Sequence, residues 1–371
     1  MNPENAPWIK DYHSYYNMRI CGYVDMVCCL VATISNFLII MVFTRNTTVS
    51  PTNTIFIHIA ITESLAILSF LPRSWHEYYR VERCSIDIHR TYGWENLALN
   101  SYMIAFAFRH VVVWLTVMLG VWRYIAVVHP LKKRQWCDDM GVTQRWIIGA
   151  YIFGFLITIP PYTNSAVQPS IILLDEEMCL ASISTAGNST KNVTIYEFKV
   201  TVESTPTYYS FLMISYGILI KSLPAIVLTV ICFKLICALI KARKHRAVMV
   251  ASLNQKLMEK RTDRTTIILL LILALFIATE IPHGICATIT GFLGPKFYWG
   301  YYYYIMEVAN TFVHISSSFN FVFYYTMSNQ FRTTFKALFK SNGDTRRSSR
   351  DGHYMNSVSQ LGINKIEHVG I

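Results

Sequence analysis

Charged side chains are scarce: Asp, Glu, Lys and Arg make up only 15% of the 371 residues, while 53% are hydrophobic and 14% aromatic. A soluble domain normally carries about 25% charged residues, so a water-soluble enzyme is not expected. The nine cysteines contain no CxxC pair, which leaves zinc or dithiol redox chemistry without support. No cofactor or metal is expected. Residues 1–20 lack an apolar core and a small-residue cleavage pattern, so a cleaved signal peptide is not expected either. Internal repeats and low-complexity stretches are missing. The formal charge of +11 stands on an apolar background, unlike that of nucleic-acid-binding proteins, and must be explained by its location.

What is present is a set of long apolar runs. A bilayer core about 30 Å thick needs roughly 20 apolar residues of helix, and seven segments qualify: 21–44, 53–72, 98–125, 146–162, 207–240, 265–293 and 299–327. Backbone groups in lipid must be satisfied internally, so these spans are helices. The connections 45–51, 126–145, 241–264 and 328–371 carry 20 Lys and Arg with 7 acids, against 9 with 11 acids for the alternate set. The positive-inside rule then places the N-terminus outside and the excess charge in the cytoplasm. The expected architecture is an all-α membrane protein with an extracellular N-terminus over 1–20 and a seven-helix bundle over 21–327. A short amphipathic eighth helix over 328–340 and a disordered cytoplasmic tail over 341–371 complete it.

Sequons at Asn188 and Asn192 fall in the long fourth-to-fifth connection assigned to the outside and are expected glycosylation sites, whereas the Asn46 sequon lies inside. Cys84 and Cys179 both lie in outer loops, where thiols oxidise, and are candidates for a disulfide. Cys21 is a rival partner, and two free thiols are the other alternative.

Ionisable residues inside a membrane are costly and mark function. Arg109 and Arg123 in the third span are 14 residues apart, close to four turns, on one face at different depths. The fifth span has Lys221 three residues before Pro224, and the sixth has Glu280, Pro282 and His283 in I-A-T-E-I-P-H-G-I. Proline removes a backbone bond and creates a pivot. Glu307, Asn310, His314 and Ser317 follow one helical face of the seventh span, which should line a wet cavity. Glu63 in the second span has three open readings: protonated, bound to a cation with Ser316 or Ser317, or hydrogen-bonded to Asn36. Trp299 and Tyr301 to Tyr304 suit headgroup level. No lysine lies in 299–327 to hold retinal, and His110, His283 and His314 lack the acids of a seven-span metallohydrolase.

The chain resembles a rhodopsin-like G-protein-coupled receptor over residues 21 to 340. The resemblance rests on Asn36 in I-S-N-F, A-I-T-E ending at Glu63, W-R-Y-I-A-V-V-H-P-L at 122–131, Pro224, Pro282, and N-F-V-F-Y at 320–324 with F-R-T-T-F after it. Three positions depart from the usual pattern: Trp122 stands for the acid before the third-span arginine, Glu280 for the sixth-span aromatic, and Phe321 for the seventh-span proline. The usual cysteine at the outer start of the third span would fall at Ala98. Together with G-I-L-I-K-S-L-P and T-E-I-P-H-G-I, these departures are similar to the invertebrate myosuppressin and FMRFamide-like peptide receptors, relatives of the sex peptide receptor.

That resemblance implies a plasma-membrane receptor, not an enzyme, for a neuropeptide ending in amidated Arg-Phe, acting through an inhibitory-class heterotrimeric G protein. The expected ligand contacts are Arg109, Lys221, Glu280, His283, Glu307, Asn310 and His314. The ligand arginine would pair with Glu280 or Glu307, steered by Asp175, Glu176 and Glu177, and in the free receptor Arg109 would hold Glu280. Coupling and activation are expected at Glu63, Trp122, Arg123, Tyr124, Pro130, Pro282, Asn320 and Tyr324, with Asp263 restraining Arg123. The basic stretch 241–246 suits a G protein or anionic lipid. Tail serines such as Ser348 and Ser349 suit phosphorylation and an arrestin-type desensitising partner. The alternatives are a chemosensory receptor for a small molecule and, from a different class, a membrane transporter or channel, although neither inverted repeats nor half-helices are evident.

Overall fold

The computed structural model describes residues 18–45, 50–75, 91–129, 137–174, 191–200, 206–249, 274–327 and 329–339. Helices α1 (Met18–Arg45), α2 (Pro51–Trp75), α3 (Tyr92–Val128) and α4 (Met140–Thr163) come first. A two-stranded antiparallel hairpin follows, β1 (Ser165–Leu174) and β2 (Lys191–Val200), in register from Ser165 opposite Val200 to Leu174 opposite Lys191. The described structure is mostly helical, and this hairpin adds to the expected helices: alternating and β-branched residues in K-N-V-T-I-Y-E-F-K-V suit a pleated strand better than a helix. Helix α5 runs through an α-helical segment Pro206–Ser215, a π-helical turn Tyr216–Ser222 and an α-helical segment Leu223–Met249. Helix α6 covers Ala274–Leu293. After a short turn at Pro295–Phe297 and a π turn at Tyr298–Tyr302 come α7 (Tyr303–Met327) and α8 (Asn329–Phe339).

Among the described residues, six helices, α1 to α6, are long and apolar enough to cross a membrane. Helix α7 has the length, at 25 residues, but not the apolarity, because Glu307, Asn310, His314, three serines and Asn320 interrupt it. Its polar face is sheltered inside the bundle, where His314 and Ser317 are buried.

Helix α3 is the spine, packed against α2, α4 and α5. It starts six residues before the expected boundary, because the Thr91 side chain caps it by accepting from the Trp94 N–H and Glu95 complements the helix dipole. Asp139 caps α4 in the same way, accepting from Gly141 N at 2.7 Å. The largest core cluster joins α2, α3 and α4 through Ile55, Phe56, Ile59, Val111, Leu115 and Ile147. Trp122 belongs to this core. It is buried 6.3 Å ring to ring from Trp146 and fastens α3 to α4.

The break expected at Pro224 is a π turn. The Leu223 N–H reaches back to the Ile218 carbonyl, and the widened turn relieves the clash of the proline ring with the preceding turn. Two glycines let α5 and α6 meet here: a Cβ on Gly284 would lie 2.9 Å from the Gly217 carbonyl oxygen and 2.5 Å from Ser222 Oγ. At the other end of the bundle Phe331 of α8 is buried against Phe43, Phe321 and Tyr324, and Phe335 packs on Phe321 at 5.2 Å. Phe321, standing where the resemblance expects proline, is thus the anchor of α8.

Candidate functional site

A cavity of about 50 Å³ lies among α2, α3, α5, α6 and α7. It belongs to the half of the bundle near the hairpin, since its α3 residues precede the midpoint of a helix whose flank touches both strands. Arg109, Lys221, Glu280, His283, Asn310 and His314 all line it, so six of the seven expected ligand contacts converge. The seventh, Glu307, is on α7, and its side chain lies outside the described residues.

The ion pairing differs from the expected one. Lys221 Nζ donates to Glu280 Oε2 at 2.9 Å, with both side chains almost wholly buried. The π turn explains the choice, because it rotates Lys221 inward at the point where Gly217 and Gly284 bring α5 against α6. Arg109 is served by a different partner: its Nη2 donates to His314 Nε2 at 3.2 Å. Guanidinium has donors only, so Nε2 must accept, the imidazole proton sits on Nδ1, and Nδ1–H donates to Asp25 Oδ1. The chain Asp25–His314–Arg109 therefore links α1, α7 and α3.

Asp25 was not singled out in the sequence, although it is one of four acids within the spans and the same intramembrane argument applies to it. With Cys29 and His314 it brings three possible metal-ligand atoms within 4.8 Å of one another. The set does not fit an ion well. A ligand histidine normally donates its second nitrogen to a carboxylate or carbonyl, whereas here that nitrogen accepts from a cation.

Phe70, Tyr102, Phe106 and Tyr216 add aromatic rings to the lining, and further rings pack behind them. Phe106 stacks on Tyr216 at 5.5 Å, Tyr216 meets His110 and His283 at 6.0 Å each, and His283 meets Tyr302 at 5.6 Å. Lys221 Nζ stands 5.7 Å from the Tyr216 ring centre, a cation–π contact. Tyr102 and Phe106 share the i, i+4 spacing on α3 that could have marked this face. Tyr216 gave no such sign, since its direction depends on the π turn. His283 Nε2 is buried with no hydrogen-bond partner among the described residues.

A second cavity, of about 80 Å³, shares Arg109, Glu280 and His314 with the first and continues towards α8. Its polar centre is Glu63, which accepts from Asn36 Nδ2 at 3.1 Å and Asn320 Nδ2 at 3.2 Å. The hydrogen bond to Asn36, one of the three readings of Glu63, is present. Tyr324 lines this cavity and packs on Phe56 at 4.9 Å. Arg123 follows on α3, its Nε buried with no partner among the described residues, and Tyr124 meets His129 at 6.0 Å. Pro282 sits within α6. Pro130, Asp263, Cys84, Cys179 and Asn188 lie outside the described residues, and Asn192 is on β2 opposite Leu173.

Residues 23–342 match the family model described as serpentine type 7TM GPCR chemoreceptor Srw. Among curated proteins, the chain is 26% identical to the sex peptide receptor of Drosophila melanogaster over 347 residues, covering 87% of this chain and 73% of that one. It is 24% identical to G-protein coupled receptor dmsr-1 of Caenorhabditis elegans over 367 residues (90% and 70%), and 23% identical to sex peptide receptor-related protein 2 of the same organism over 333 residues (86% and 71%). These relatives agree with the resemblance carried by the motifs. They favour a receptor over an enzyme, transporter or channel. With the family model spanning most of its length, the chain belongs to the serpentine seven-transmembrane G-protein-coupled receptors, as a multi-pass membrane protein.

Proposed function

We propose that the protein is a cell-surface receptor for an amidated neuropeptide of the FMRFamide-like or myosuppressin-like kind, signalling through an inhibitory-class G protein. The N-terminus and the hairpin face outward, and α8 and the tail face the cytoplasm. The observation that carries this reading is the cavity itself, which combines an aromatic wall with buried ionic groups and continues into the Glu63 cluster. The names of the relatives point to a peptide.

The C-terminal aromatic ring of the peptide packs against Phe106 and Tyr216 as the cavity widens to admit it. Its arginine pairs with Glu307 or takes Glu280 from Lys221, and the second option acts as a switch. Lys221 and Glu280 hold α5 and α6 together where their backbones are closest, so competition for the carboxylate shifts the balance between two helix arrangements. Arg123 and Tyr124 meet the G protein once α6 moves, with lipid headgroups and an arrestin-type protein as further partners. A Cys84–Cys179 disulfide and glycans at Asn188 and Asn192 complete the outer face.

The chemoreceptor wording of the family model favours a second reading, a small-molecule ligand in the same cavity. A panel of amidated peptides and of small volatile and soluble odorants, applied to cells reporting cyclic nucleotide, separates the two. Suppression by an amidated peptide supports the proposal. A response to small molecules alone refutes it.

A further inference from the structure

Among the described residues lining the cavity the ionic groups are Arg109, Lys221 and Glu280, and the carboxylate is occupied by Lys221. Arg109 is left with a neutral imidazole and makes no ion pair among the described residues. A guanidinium has five N–H donors. His314 Nε2 takes one of them, and no other acceptor among the described residues reaches the rest. Asp25 sets this geometry from behind: by holding the proton on Nδ1 it leaves Nε2 free to accept, which fixes the guanidinium on the cavity wall.

We propose that Arg109 binds the carbonyl or carboxylate oxygen at the C-terminal end of the peptide, with Asp25 and His314 as its positioning residues. The inference rests on the peptide reading above and adds which atom of the peptide reaches the α3 wall. A guanidinium with N–H donors to spare attracts an oxygen acceptor, and charge-assisted bonds to a planar guanidinium are the stronger kind. The stacked Phe106 and Tyr216 rings line the same cavity, so a terminal aromatic residue can place its ring there while its carbonyl meets Arg109. A neutral amide and a free carboxylate share this acceptor chemistry.

The test is a ligand–receptor double-mutant cycle on the full-length receptor in cells, with surface copies counted through an extracellular tag. Three peptides of one sequence end in an amide, a free carboxylate, and an uncharged phenethylamide in which the terminal carbonyl group is replaced by hydrogen. Loss of the oxygen is expected to lower potency about 10- to 100-fold on the wild type, the range for a hydrogen bond to a charged group. On Arg109→Gln the same change should cost less than about threefold, given the loss of that charged donor. Arg109→Lys should retain part of the preference, and Asp25→Asn should shrink it without abolishing the response. Whichever of amide and carboxylate is the more potent identifies the terminus the site prefers. An equal penalty on wild type and Arg109→Gln overturns the proposal.

A wild type silent to all three peptides refutes the peptide reading instead. Arg109 is then tested by thermal stabilisation of purified receptor with N-acetylphenylalanine amide, N-acetylphenylalanine and the uncharged N-acetylphenethylamine. Stabilisation by the first two that disappears in Arg109→Gln supports the contact. Identical behaviour of both receptors, including no stabilisation of either, overturns it.

Discussion

Removing one partner of the Lys221–Glu280 pair should damage the receptor far more than removing both. Unit charges 2.9 Å apart attract by about 6 kcal/mol at an effective dielectric constant near 20. That attraction must offset the desolvation of two groups buried together, so the net worth of the pair is small. Leaving one charge alone costs about 3–5 kcal/mol. At roughly 2 °C per kcal/mol, Lys221→Met and Glu280→Leu should each lower the melting temperature of purified receptor by about 6–10 °C. The double variant Lys221→Met/Glu280→Leu, filling the space between α5 and α6 with apolar side chains, should melt above either single variant and close to wild type. The assay is thermal unfolding of receptor in lipid nanodiscs. Additive single effects in the double variant would show that the two groups do not act as a pair.

The remaining predictions concern packing. Gly217→Ala places a methyl 2.6 Å from the Gly284 carbonyl oxygen and against Thr288 Oγ1, so α5 and α6 must part. Surface expression should fall severalfold in flow cytometry, while Gly149→Ala, where nothing lies within 4 Å, should leave it unchanged. Trp122→Asp, which restores the acid usual in related receptors, should destabilise the bundle by about 3–5 kcal/mol by emptying the core position against Trp146, seen as lost thermal stability rather than lowered ligand-free signalling. Phe331→Ala should release α8 from Phe43 and Tyr324, read as increased amide exchange over residues 329–339 with α3 unchanged.

Much of the bundle was legible in the sequence because lipid imposes one rule: a backbone without water must form helices about 20 residues long. The same rule marked the cavity, since Arg109, Lys221, Glu280 and His314 each stood out as a costly polar group, and all four line one space. Who pairs with whom was not legible. Helical spacing gives the face of a residue within its own helix, but the π turn at Tyr216–Ser222 breaks that spacing and rotates Lys221 towards Glu280. Asp25 was overlooked because it lies near the start of α1, where an acid can pass for an interfacial residue, yet it is buried and sets the tautomer of His314. The hairpin was masked by its setting, a long loop with sequons and charges whose alternation shows only once β1 and β2 are paired. Trp122 and Phe321 show another limit: both depart from the usual motif, and the packing they make on α4 and α8 was not visible in the sequence.

The central claim is that a peptide in the cavity drives a G protein. Its most direct measurement is guanine-nucleotide exchange on a purified inhibitory-class G protein by full-length receptor in bilayers, with and without amidated Arg-Phe peptide. The comparison is a receptor whose cavity is filled by Ala309→Trp on α7. The account predicts peptide-dependent exchange by wild type and its loss in the filled receptor at equal melting temperature. Exchange that persists when the cavity is filled would contradict it.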